Sequence, residues 1–228
     1  MTVESEGMRV EVPVWDPAVR LFHWTIVVLL IVSITTGKLG GEWLVWHMRS
    51  GQTILVLLLF RVLWGFAGSG NARFAAFLRG PAAALRYARS LVRPPHHVHA
   101  THNPLGGWMV VLLIVALFAQ AGTGLFTNDD ILADGPLVKH ISKDLSDAIS
   151  TWHRRMWWLV VALVVVHIGA VVSYYVMFRD NLVGPMFSGR KQLPHGVGDP
   201  AAAAASIPRA LVLLALCAFA VWWLVTKY

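Results

Sequence analysis

The chain has 228 residues, of which 57% are hydrophobic and only 14% charged. Its apolar residues fall in unbroken blocks, which excludes an ordinary water-soluble domain and fits a membrane protein. The net charge of +7 is concentrated in particular connections, so it reads as a topology signal; nucleic-acid binding is not expected.

A hydrocarbon core about 30 Å thick takes roughly 20 mainly apolar residues per helix. Five stretches qualify, at about 21–38, 47–66, 106–126, 155–178 and 209–226. An all-α integral membrane protein is therefore the expected fold. Residues 1–19 hold Glu4, Glu6, Arg9, Glu11 and Asp16 and lack the apolar run of a cleavable signal peptide, so the amino terminus is expected in the cytoplasm. The connection from Phe66 to Leu105 carries Arg73, Arg79, Arg86, Arg89 and Arg93 and no acid. Thr127 to Ser150 instead carries Asp129, Asp130, Asp134, Asp144 and Asp147 against Lys139 and Lys143. By the positive-inside rule the first connection is cytoplasmic and the second faces the opposite side. Several of the eleven tryptophans, among them Trp24, Trp43, Trp46, Trp64, Trp108 and Trp152, fall near segment ends as headgroup-level anchors. Residues 73–93 read as a basic amphipathic stretch on the cytoplasmic leaflet, broken at Gly80-Pro81, and 188–208 as a linker rich in Gly, Pro and Ala.

Metal-binding or ionisable side chains within membrane helices are costly and point to function. His23, His47, His153 and His167 hold such positions. A lone histidine near a helix end is more often interfacial, but these four match in depth. His153 and His167 are fourteen residues apart on one segment, hence about 21 Å apart along a helix and only about 40° apart around it. His23 opens the first segment on the cytoplasmic side, and His47 opens the second on the outer side. Depth allows His23 with His167 and His47 with His153. Crossed pairs would separate the ligands by some 20 Å, too far for one metal. Two bis-histidine sites stacked across the bilayer suit haem iron held by axial imidazoles and do not suit a single zinc or copper site. Cys217 is the only cysteine, so a covalent Cys-x-x-Cys-His attachment is excluded and the two haems b must be non-covalent.

Gly51, one turn below His47, and Gly37, fourteen residues after His23, offer room for a flat macrocycle; plain helix packing or a helix end would equally account for either. Arg61 lies fourteen residues after His47 and puts a guanidinium at the depth of the cytoplasmic-side haem, where a propionate can pair with it. Arg20, three residues before His23, shares its helix face. Arg154 and Arg155 could serve the outer haem, although lipid headgroups could claim any of these arginines except Arg61. The run His96, His97, His99 and His102 could bind a divalent ion, but loop histidines beside two prolines are usually only solvated.

The opening VWDPAVRLFHW, the histidine that opens the second segment, the THNPLGG entry into the third, WHRRMWWLVVALVVVH and NLVGPMFSGRK together resemble the bacterial cytochrome b561 family. The closest likeness is to the branch of b-type cytochrome subunits of nickel-iron hydrogenases, over roughly residues 12–192. The resemblance implies a four-helix transmembrane haem-binding bundle with His23, His47, His153 and His167 as ligands of two b haems. The fifth, C-terminal transmembrane helix is an addition to the simplest members. The expected division is a dihaem domain at 1–187, the linker at 188–208 and the last helix at 209–228.

The resemblance also implies electron exchange between the quinone pool, ubiquinone or menaquinone, and a periplasmic redox partner such as a c-type cytochrome or a hydrogenase, in the bacterial inner membrane. Oligomer formation stays open. Two histidines on each iron leave no open position, so outer-sphere electron transfer is expected, with no catalytic residue of the chain's own. The acidic outer loop is a candidate docking surface. An alternative is a free-standing superoxide:quinone oxidoreductase using Arg154, Arg155, Lys139 and Lys143 as an outer funnel, which the five acids of that loop oppose. A haem-free transporter or scaffold is a third reading.

Overall fold

Two Asx-Pro pairs start two of the long helices. In the computed structural model, which describes residues 9–91, 99–130 and 133–227, Asp16 precedes helix α1 (Pro17–Leu39) and Asn103 precedes α5 (Pro104–Gly124). Proline at the first helical position loses no intrahelical bond. The preceding side chain accepts an amide of the first turn: Asp16 Oδ1 from Val19 N at 2.9 Å, and Asn103 Oδ1 from Gly106 N at 2.8 Å.

The other elements follow in chain order. Strand β1 (Arg9–Pro13) precedes α1; then come α2 (Leu44–Ala67), short α3 (Phe74–Phe77) and α4 (Pro81–Ser90), and α5. After α5 come α6 (Lys143–Phe178), short α7 (Val183–Ser188), β2 (Arg190–Pro194) and α8 (Ile207–Lys227). Five of the helices are long and apolar enough to cross a membrane, at the five stretches expected. The basic stretch 73–93 breaks before Pro81, as its Gly-Pro pair expects.

Helix α6 departs from the hydropathy reading. It starts at Lys143, not near 155, so the end of the acidic connection is already helical. Its polar turns are held by means that hydropathy does not register: Lys143 reaches Asp147 at 2.9 Å as an i,i+4 pair, and Ser146 and Ser150 are buried against the loop around Asn128. Residues 190–194, inside the expected linker, instead form β2, antiparallel to β1 with Val10 opposite Leu193. His96 and His97 lie outside the described residues. His102 stacks between Trp15 and Phe77, and His99 lies edge-on to Tyr87. Among the described residues no group of three or more His, Cys, Asp or Glu side chains is placed to hold a metal ion.

The chain divides into two compact units. The first comprises 1–21, 63–111 and 166–210. Here β1 and β2 close a small core of Val12, Val14 and Leu193. Asp16 is 1% exposed, and besides capping α1 it accepts Trp64 Nε1 at 3.1 Å and Ser69 Oγ; Trp64 is fully buried and so is a core residue, not the headgroup anchor its place near a segment end suggests. Buried Lys191 donates to Asp180 at 2.9 Å and to the His99 carbonyl at 3.1 Å. Asn103 Nδ2 donates to Tyr174 Oη at 2.7 Å, and that hydroxyl also shares a hydrogen bond with Tyr87.

The second unit comprises 22–62, 112–165 and 211–228. Four helices meet in its core through Ile26, Ile54, Leu58, Ala116, Leu117 and Val160. Helix α8 joins through Val221, packed with Leu55, Leu125 and Leu137, whereas Leu211 and Trp222 are exposed.

Replacing Asp16 with Ala takes one buried anion from three donors and should cost about 3 kcal/mol. Asp16→Asn, which keeps an acceptor for the cap, should cost less. Thermal unfolding in detergent checks the order; equal melting of wild type and Asp16→Ala would contradict it.

Candidate functional site

The connection between α1 and α2 is a reversal that glycine makes cheap. Gly40 and Gly41 have φ of 65° and 54°, a region that costs L side chains and suits glycine. The chain therefore turns within Gly40–Trp43, and α2 brings His47 back against α1. There the Nδ1 of His47 lies 2.8 Å from the Ser33 carbonyl and 3.3 Å from Ser33 Oγ. A carbonyl can only accept, so His47 carries its proton on Nδ1 and leaves Nε2 as a free electron pair.

His153 of α6 faces His47 within the same unit. The two ring centres are 6.0 Å apart and the rings nearly perpendicular, at 86°. Metal–imidazole nitrogen bonds run about 2 Å, so two rings on opposite sides of one iron have centres about 6 Å apart. The observed separation fits that need. His153 Nδ1 lies 3.1 Å from Thr123 Oγ1, and Gln120 Nε2 donates to the His153 carbonyl at 3.2 Å. Gln120 Oε1 is buried beside them without a donor among the described residues, a polar vacancy suited to a further group or a water.

Glycines flank both rings. A Cβ on Gly37 would sit 2.7 Å from His47 Nδ1, and one on Gly124 would sit 3.1 Å from His153 Cε1. Gly37 thus makes room for the imidazole itself, a closer role than the space for a macrocycle expected from spacing. Gly51 has open space where a side chain would project. Lys38, next to Gly37, places its ammonium 3.8 Å from the ring centre of Trp157, one turn beyond His153.

The remaining candidates are distributed along the helices. His23 lies half-buried on α1, edge-on to Trp24 with centres 5.0 Å apart, and α6 carries half-buried His167. Arg61 on α2 is 3% exposed, an unusual burial for a guanidinium. Arg20 donates Nη1 to the Phe187 carbonyl, and its Nε is buried with no acceptor among the described residues, as an absent anion would leave it. Arg154 is exposed, and its guanidinium reaches Thr151 Oγ1 at 3.4 Å.

Sequence spacing did not single out Ser33, Gln120, Thr123 or Gly124. A signal was available: Gln120, Thr123 and Gly124 are the i, i+3 and i+4 positions of one helical face inside an otherwise apolar segment. Polar groups at that depth need protein partners.

Comparison with known proteins identifies the family. A family model described as prokaryotic cytochrome b561 matches residues 14–189. The chain is 27% identical over 217 residues to a Bradyrhizobium diazoefficiens protein named a probable Ni/Fe-hydrogenase B-type cytochrome subunit, covering 81% of this chain and 87% of that one. A protein of the same name from Cupriavidus necator is 25% identical, with 77% and 85% covered. The probable Ni/Fe-hydrogenase 1 B-type cytochrome subunit of Escherichia coli K12 is 23% identical, with 80% and 92% covered. No solved structure matches. With the match spanning most of the chain and five membrane-length helices present, this protein belongs to the prokaryotic cytochrome b561 family, multi-pass membrane cytochromes that carry haem b and transfer electrons.

Proposed function

We propose that this chain is a dihaem electron-transfer subunit linking the quinone pool of the bacterial inner membrane to a periplasmic redox partner of the hydrogenase kind. The observation that carries the proposal is the facing His47–His153 pair, with ring centres 6.0 Å apart and the Nδ1 of each imidazole turned to an oxygen of the chain. Three relatives named as Ni/Fe-hydrogenase cytochrome subunits support the choice of partner.

His47 and His153 would hold the outer iron through Nε2. For the second haem, His23 and His167 are the ligands that sequence spacing selects. Arg20, with its unsatisfied Nε, and buried Arg61 neutralise propionates, and Arg154 meets headgroups or a partner at the surface. Haem supplies one-electron redox chemistry, and two histidines per iron leave no site for a small ligand. The protein's own work is to fix the ligands, exclude water and hold the propionates. In this reading residues 1–187 form the dihaem domain, 188–208 connect it to the helix at 209–228, and the amino terminus is cytoplasmic. Ubiquinone or menaquinone is the membrane substrate, and the loop rich in aspartate docks the partner. Within that loop Lys143 is held by Asp130 at 2.6 Å and Asp147 at 2.9 Å, which removes a cation that a superoxide funnel would need.

A dithionite-reduced minus oxidised spectrum of the purified protein, with haem and protein quantified together, should show two low-spin b haems per chain. His47→Ala and His153→Ala should each remove the same spectral component, and His23→Ala and His167→Ala the other. Loss of different components by His47→Ala and His153→Ala would break the pairing, and an unchanged spectrum in all four would sink the proposal.

Gly37→Ala should displace the His47 ring and lower occupancy of the outer haem about 10-fold, the scale seen when the surroundings of a metal ligand are disturbed. Haem-to-protein ratio after purification measures this. Full occupancy would show that the ring does not need the space.

A further inference from the structure

We propose that Thr123 is the positioning residue of the outer haem site: it accepts the Nδ1 proton of His153, turns Nε2 to the iron and holds that haem's potential down. This rests on the haem reading above.

Three observations lead there. First, two side-chain polar atoms approach His153 Nδ1, Thr123 Oγ1 at 3.1 Å and Gln120 Nε2 at 3.4 Å. An amide nitrogen only donates, so it cannot take the Nδ1 proton; the Gln120 amide also lies 3.3 Å from His153 Nε2 and 3.2 Å from the His153 carbonyl, and a donor beside Nε2 suits a ring that carries its proton on Nδ1. Second, the Thr123 hydroxyl proton is already committed. Its Oγ1 lies 2.8 Å from the Ala119 carbonyl and 2.9 Å from that of Gln120, and both oxygens can only accept. What Oγ1 presents to His153 is therefore a lone pair. Third, a residue with its proton on Nδ1 has Nε2 available as a ligand, and His153 meets His47 across the distance one iron needs.

The two imidazoles are fixed by acceptors of different kinds. His47 donates to the Ser33 backbone carbonyl at 2.8 Å, which no side-chain substitution removes. His153 donates to a side-chain hydroxyl, so Thr123 is the member of the pair through which sequence can adjust the site. An acceptor on the distal nitrogen makes a ligating imidazole more basic, which favours ferric over ferrous iron and lowers the potential.

The test is a potentiometric titration of the purified, haem-loaded protein in detergent, comparing wild type with Thr123→Val and Thr123→Ser. Valine keeps the shape and removes the acceptor; serine keeps the acceptor. In Thr123→Val one of the two reduction waves should move to higher potential by about a tenfold change in ferric preference, about 59 mV for one electron. The other wave should stay, and Thr123→Ser should titrate like wild type. Loss of one haem in Thr123→Val with both retained in Thr123→Ser supports the same role. Unchanged waves in Thr123→Val, or a serine variant that shifts as far as the valine one, overturn this inference alone. A wild-type protein that binds no haem overturns the haem reading and this inference with it.

Discussion

Hydrocarbon offers no hydrogen-bond partner, so every polar atom placed among these apolar helices must be satisfied by the protein or by what the protein binds. An unpaired buried polar group costs on the order of 1–3 kcal/mol. The polar residues of the apolar segments are therefore few, and those near the histidine pair are spent on placing its two rings: the Ser33 carbonyl, Thr123 and Gln120 converge on His47 and His153. Gln120 Oε1, which has no donor among the described residues, belongs to the residue whose amide nitrogen approaches His153.

The same economy organises the first unit. Asp16 starts α1 and at once ties it to Trp64 and Ser69. Asn103 starts α5 and at once reaches Tyr174. Each Asx-Pro pair is thus a helix start and a tertiary contact in one side chain. A buried carboxylate tolerates its position because three donors offset its lost hydration. Lys191 repeats the logic with Asp180 and the His99 carbonyl. These locks brace the segment ends, where backbone leaves the regular helix and its amides would otherwise be orphaned.

In the second unit, rigidity comes from packing. Small residues let helices and rings approach closely, and both glycines beside the histidines act this way: Gly37 accepts the face of His47 and Gly124 the edge of His153. The close-packed core of Ile26, Ile54, Leu58, Leu117 and Val160 holds the four helices behind them. An imidazole pair set on packed helices, with the Nδ1 of each ring beside an oxygen of the chain, has the preorganisation that a metal site requires. For an electron carrier this matters because little then has to move when the iron changes charge.

Much of this was legible in the amino-acid order. Five apolar runs of membrane length specify five helices, because a bilayer admits few other ways to satisfy the backbone. That His47 and His153 are brought face to face agrees with the pairing drawn from helical rise. Local signals also mark the starts of α1 and α5. The start of α6 at Lys143 was not legible, since hydropathy is blind to a polar helix held by an ion pair and buried serines. Nor was β2, whose partner strand lies some 180 residues earlier and whose pairing depends on long-range contact alone. Spacing along a helix singled out His47 and His153, but only the tertiary structure decided which atoms hold their rings. Ser33, Thr123, Gly37 and Gly124 acquire their roles from facing helices, and one-dimensional order does not contain the distance between two helices.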